Sequence, residues 1–308
     1  MKQRDILQLF DRVFKCLMGL SDRAVINCIN GLFGKAYDPD SELSRPATET
    51  VEPTLKRSFA DMVLCINGTD AYLIEAQIKN DTDMALRILQ YMLNQGRREA
   101  VKKGHALSIR LPETRVIYWE ITGTSPDLER IYFEFPGGLR CCYEAPSFKF
   151  PNYTAAILEE RNMGLLLPFC VLKLRREVKK AKSSAARQDL AKQLKRIVED
   201  VMAAVERSEE RGILNSWDGE NLRRLTLRLQ QEIYSPYTEF AEVLSMWEDI
   251  QLIDYEGIIR RAEEADQRAE AAEAAAAQKM KAAAQRLIAM GISEEQLAAA
   301  GLLEIAGK

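Results

Sequence analysis

A single histidine, His105, stands among 308 residues. That scarcity excludes a Ser-His-Asp triad, an HNH-type site and a two-histidine metal centre. His105 follows Gly104, which reads as a helix stop, and is expected in a loop. The six cysteines contain no C-x-x-C spacing, so no zinc site is expected, and four of them sit in apolar surroundings as small buried hydrophobes. Neither a Walker A sequence nor a G-x-G-x-x-G behind a strand is present, so no nucleotide cofactor is expected. No apolar run reaches eighteen residues, and Met1-Lys2-Gln3-Arg4-Asp5 leads into an amphipathic helix rather than a secretory segment. The expectation is a cytoplasmic protein with no membrane partner. If such a chain is an enzyme, carboxylates and a metal are what it has to work with.

Carboxylates are present in a suggestive place. Asp61 opens an apolar run, Met62-Val63-Leu64-Cys65-Ile66, and Glu75 lies within Tyr72-Leu73-Ile74-Glu75-Ala76-Gln77. Strands over 61–66 and 71–79, joined by a turn at Asn67-Gly68-Thr69-Asp70, would bring Asp61 and Glu75 together at one sheet face. Period two puts Leu73, Glu75, Gln77 and Lys79 on one side of the second strand, and Tyr72, Ile74, Ala76 and Ile78 on the other. Two carboxylates on an apolar scaffold are costly unless a hard cation sits between them. The same alternation also fits an ordinary half-exposed hairpin.

After the capping cluster Asn80-Asp81-Thr82-Asp83 the period changes to 3.6, which predicts a helix over 84–103 stopped by Gly104. Leu86, Ile88, Leu89, Met92 and Leu93 supply its apolar body, while Arg87, Tyr91 and Gln95 share a face at i, i+4 and i+8. That stripe suits contacts to phosphate and sugar, or is a solvated helix edge.

Asp61, then Glu75-Ala76-Gln77, then Met84-Ala85-Leu86-Arg87-Ile88 with Tyr91 and Gln95 resembles the PD-(D/E)XK nuclease-like transposase family, also called recombination-promoting nucleases. Asp11-Arg12-Val13-Phe14-Lys15, Asn30-Gly31-Leu32-Phe33-Gly34, Tyr143-Glu144-Ala145-Pro146 and Leu165-Leu166-Leu167-Pro168-Phe169 resemble further segments of it in the same order, so the likeness covers about residues 5–175. The resemblance implies a restriction-endonuclease-like mixed sheet flanked by helices, and metal-dependent cleavage of DNA. It implies that Asp61, Glu75 and the carbonyl of Ala76 hold Mg²⁺ or Mn²⁺, with Gln77 orienting water or phosphate. Arg87, Tyr91 and Gln95 would position the nucleic-acid backbone. The wider superfamily carries lysine where this chain has Gln77, and an amide cannot bring positive charge to a phosphate. Lys79, on the same strand face, is either the replacement ammonium or a solvent-facing residue at the strand end.

Further strands are expected at 115–121, 130–135 and 139–144, the last two joined by a turn at Pro136-Gly137-Gly138; from about 154 onward the pattern is helical. This divides the chain into an α/β nuclease-like domain, 1–170, and an all-helical region, 171–308. From Lys173 to Arg196 ten Lys/Arg face two carboxylates, a local balance of +8 in a chain of net charge −3. Such a helix collects DNA phosphates or is a solvated face. Residues 255–290 are Ala-rich and read as a protruding helix or coiled-coil arm, followed by a helical hairpin at 286–303 capped at Gly291 and Ser293. A pairing or interaction role is the plainer expectation for these helices, with homo-oligomer formation one form of it. The alternative to an endonuclease is a nuclease-fold protein with weak or lost chemistry that acts as a DNA-binding or protein-interaction module. A purely structural coiled-coil protein would leave the strand motifs unexplained.

Overall fold

The computed structural model describes residues 3–46, 49–51, 57–59, 62–78, 83–98 and 100–247. Spatial proximity of residues groups the chain into two compact units, Met1–Tyr255 and Glu256–Lys308. The expected Ala-rich arm and the helical hairpin after it lie outside the described residues, as do Asp61 and Lys79.

Two helices open the chain, α1 (Gln3–Met18) and α2 (Asp22–Phe33). The Ser21 hydroxyl caps α2 by accepting from the Ala24 N–H, and Gly34 ends it at φ +65°, a conformation that favours glycine. Strands β1 (Leu43–Ser44), β2 (Glu49–Val51), β3 (Arg57–Phe59), β4 (Met62–Ile66) and β5 (Asp70–Gln77) follow, then helix α3 (Met84–Arg98). Beyond it come β6 (Val101–Lys103), β7 (Ala106–Ser108), β8 (Glu113–Tyr118), β9 (Leu128–Glu134) and β10 (Arg140–Lys149). Six strands form one mixed sheet in the order β1-β4-β5-β8-β10-β9, and β2–β3 and β6–β7 make separate ribbons. Within the sheet β5–β8 and β8–β10 are parallel, and the remaining pairs antiparallel. The mixed α/β class expected from the sequence is the one observed.

The β4–β5 hairpin is closed by Asn67 and Gly68 at φ +52° and +68°, the left-handed pair that a tight hairpin requires. Met62 pairs with Ile74 and Leu64 with Tyr72. Helix α3 covers one face of the sheet: Met84, Ile88 and Met92 share a buried cluster with Val116, Tyr118 and Ala145, while Tyr91 packs with Val63 and Leu73. On the other face Phe33 meets Tyr72 at 4.7 Å between ring centroids, and Phe14 meets Trp119 at 6.0 Å. Phe169 stacks on Trp119 at 3.9 Å. It belongs to a 3₁₀ segment, Gly164–Leu174, nearly all of which is buried.

Two expectations about α3 need correction. The helix ends at Arg98, not near residue 103, because residues 101–103 pair with 106–108 instead. Gly104 turns that ribbon at φ +60° and caps no helix. Leu86 and Leu93, expected in the apolar body, are exposed; the inward face runs through Met84, Ile88, Tyr91, Met92 and Gln95.

The rest of the described chain is helical, with α4 (Ala155–Glu160), α5 (Arg175–Lys180), α6 (Ser184–Glu210), α7 (Ser216–Tyr234) and α8 (Ala241–Ser245). Leu194, Val198 and Val201 of α6 and Leu222 and Leu229 of α7 are fully buried, and both helices pack on the 3₁₀ segment. The Asp218 carboxylate of α7, itself buried, accepts from the Ser21 N–H at 3.1 Å and from its hydroxyl. The passage from sheet to helix near residue 170 is thus a change of element type within the first compact unit. Among the described residues no helix is long and apolar enough to cross a membrane.

Candidate functional site

Glu75 sits near the carboxyl end of β5, on the face that Leu73 turns toward α3. Its side chain is 0 % exposed. A buried carboxylate requires a charged or hydrogen-bonding partner, and α3 provides one: Arg87 donates from Nη2 to Glu75 Oε2 at 2.8 Å. The Arg87 side chain remains 30 % exposed, so the guanidinium spans the distance from a buried anion to solvent. Tyr91 and Gln95, one and two turns further along α3, are buried. The i, i+4, i+8 stripe read from the sequence is therefore real, but Arg87 is its solvent-reaching member. Ala76 and Gln77 are half-buried at the end of β5.

The sheet extends this place in a direction the sequence did not reveal. Gln77 pairs with Tyr118 on β8, and Tyr118 pairs with Lys149 on β10. Residues directly opposite each other in a ladder share a face, so Gln77, Tyr118 and Lys149 form one row at the carboxyl ends of three parallel strands. Such strand ends are where open α/β sheets bind ligands. Tyr118 is fully buried and donates from Oη to Glu129 Oε1 at 2.9 Å, which fixes the middle of the row. Lys149 donates from Nζ to Asp127 Oδ1 at 2.6 Å. No local motif announces Tyr118 or Lys149; only the strand pairing does.

The basic stretch from 173 to 196 is not one helix. It runs from the end of the 3₁₀ segment through α5 and, after the N-cap at Ser183, into α6. Several of its cations are used internally. Lys173 donates to the Tyr153 carbonyl, and burial pulls its ammonium below the usual lysine range. Arg175 is buried on Glu120, and Arg176 donates to the Ile121 carbonyl at 2.7 Å. Because the Glu120 N–H donates to the Ile78 carbonyl and the Trp119 N–H to that of Gln77, α5 begins beside the strand ends that carry Gln77 and Tyr118. Lys179, Lys180 and Lys182 are exposed there. If they collect DNA phosphates, changing all three to Glu should lower the slope of log K against log salt by about 2–3. An unchanged slope in a filter-binding titration returns them to plain surface charge.

Burial pushes the Cys28 and Cys170 thiols up to about 12, which makes them inert fillers of the core. Cys16 and Cys65 are also buried, whereas Cys141 and Cys142 are exposed. The oxygen donors of Glu75 and Gln77 suit a hard divalent cation in kind. Among the described residues, however, no group of three or more His, Cys, Asp or Glu is gathered at one point. Comparisons with models of protein families, with curated proteins and with solved structures find no match.

Proposed function

We propose that this chain is a metal-dependent DNA endonuclease of the PD-(D/E)XK nuclease-like transposase type, built on a restriction-endonuclease-like core. The observation that carries the reading is Glu75: a fully buried carboxylate two residues before a half-buried amide, at a parallel strand end, beside an arginine that reaches solvent. Asp61, Glu75 and the Ala76 carbonyl would hold Mg²⁺ or Mn²⁺. The chemistry such a cation would supply there is polarisation of the phosphate and a lowered pKa for an attacking water. Gln77 orients that water or the phosphate by hydrogen bonding. Arg87 divides its donors between Glu75 and the nucleic-acid backbone. Tyr91, packed on Val63 and Leu73, and Gln95 are buried and support the helix that presents Arg87.

Supercoiled plasmid incubated with Mg²⁺ or Mn²⁺ is expected to be nicked by the wild type and not in EDTA. Asp61→Ala and Glu75→Gln should each reduce the rate by about 10²-fold or more. Undiminished nicking by both variants would refute the assignment.

One observation favours a second reading. The Glu75–Arg87 ion pair balances the buried carboxylate with no metal at all. On that reading the chain keeps the fold as a DNA-binding or protein-interaction module, and wild type and variants bind alike without cleaving.

A further inference from the structure

The six-stranded sheet ends on β9, and among the described residues no strand lies beyond it. Bonded and non-bonded pairs alternate along an antiparallel ladder. The Phe135 N–H donates to the Leu139 carbonyl at 2.8 Å and the Ser147 N–H to that of Asp127 at 2.9 Å. Odd-numbered residues of β9 thus spend their backbone groups on β10, and those of Arg130, Tyr132 and Glu134 point away from the sheet. Such an edge is a template for another strand unless its charges repel the newcomer. The charges of β9 do the reverse toward a second copy of itself. Ile131 and Phe133 pack on the cluster under α3, so Arg130, Tyr132 and Glu134 take the opposite face. Arg130 and Glu134 stand symmetrically about Tyr132 and are of opposite sign. Each already faces a countercharge on β10: Arg130 Nε donates to Glu144 Oε1 at 3.0 Å, and Arg140 Nε lies 3.5 Å from Glu134 Oε1. All four side chains are at least half exposed, which leaves each room for a second partner.

We propose that β9 is a dimer interface, pairing antiparallel with β9 of a second copy about a two-fold axis at Tyr132. In that register Arg130 faces the second copy's Glu134, Tyr132 faces Tyr132, and Glu134 faces Arg130. These are the residues whose outward backbone groups can meet, and three such pairs exchange about six hydrogen bonds. On the outer face the charges then alternate across four strands: Glu144, Arg130, and the second copy's Glu134 and Arg140. On the inner face Ile131 meets Phe133, apolar on apolar. Moving the axis to Ile131 sets Arg130 against Tyr132, and moving it to Phe133 sets Arg130 against Pro136, so either slip loses both charge pairs. The interface lies three strands from β5 and goes beyond the endonuclease reading, on which it does not depend.

Sedimentation equilibrium on the full chain tests this. The wild type should dimerise reversibly. Arg130→Glu and Glu134→Arg should each weaken the dimer about tenfold or more, because either reversal turns two attractive pairs into repulsive ones. Mixed in equal amounts, the two variants should recover most of the lost affinity, since each like-charged pair then becomes an opposite one. Tyr132→Pro removes an N–H directed away from β10, spares the ladder within the chain, and should weaken the dimer similarly. Melting temperatures of the charge variants should stay near that of the wild type, because the ion pairs they lose are exposed. If one variant melts early, the remaining ones decide. A wild type that is monomeric at about 100 μM overturns the proposal. So does a dimer indifferent to all three substitutions, which is held elsewhere in the chain, and so does a mixture that recovers nothing.

Discussion

Arg87→Met is expected to lower the melting temperature by about 10 °C. The substitution keeps the length of the side chain and deletes the charge that faces a carboxylate with no exposure to solvent. Removing one partner of a buried ion pair costs about 3 kcal/mol or more, because the other charge is left in a poor solvent. For a folded unit of this size each kcal/mol is worth about 2–4 °C. The same variant separates the two functional readings. If Glu75 belongs to a metal site, millimolar Mn²⁺ should stabilise Arg87→Met more than the wild type, since a cation then gains a place that the guanidinium no longer contests. At a hundred times its dissociation constant a ligand adds about 2.7 kcal/mol, enough to recover most of the loss. Thermal shift with and without Mn²⁺ measures this directly. A variant that melts early and ignores the metal favours the interaction-module reading.

The second large effect lies at Arg175. Its side chain is 7 % exposed and that of its partner Glu120 is 9 %, making this the most enclosed ion pair outside the candidate site among the described residues. The guanidinium also lies 5.7 Å from the centre of the Phe10 ring. Arg175→Met should cost about 4 kcal/mol in urea unfolding, with the loss appearing in the midpoint rather than the slope. Adding Glu120→Leu should recover more than half of that, because two apolar groups of similar size replace the pair without stranding a charge. If the double variant is no more stable than the single one, the pair is not what holds α5 to the end of β8. The burial of Arg175 also explains why a charge-reversal test of DNA binding belongs on Lys179, Lys180 and Lys182, where a loss of affinity cannot be confused with a loss of fold.

What could be read from the sequence is what the chain decides locally. The β4–β5 hairpin was legible because Asn67-Gly68 favours positive φ and because it separates the apolar run 62–66 from a second strand-like segment. The start of α3 was legible from the change of period. Its end was not, since residues 101–103 have a pairing partner at 106–108 that competes with helix propensity and wins. The alignment of Arg87 with Tyr91 and Gln95 could be seen, but not which way the stripe faced. That depended on the sheet beneath it, which buries Tyr91 and Gln95 and hands Arg87 to Glu75. The basic character of residues 173–196 was plain in composition, whereas the burial of Arg175 required Glu120, just past the end of β8 and 55 residues earlier in the chain. The row of Gln77, Tyr118 and Lys149 was invisible for the same reason: it exists only through two parallel pairings.

Those two parallel pairings also set an order of events during folding. Glu75 and Arg87 are 12 residues apart, so a short loop closure brings them together as soon as α3 docks on β5. The row from Gln77 through Tyr118 to Lys149 must wait for β8 and then β10, and such long-range parallel contacts form slowly. A chain emerging from the ribosome therefore neutralises its buried carboxylate early, inside a local unit. The strand ends around it are completed only when β10 has been made, so the ion pair precedes the sheet that later encloses it.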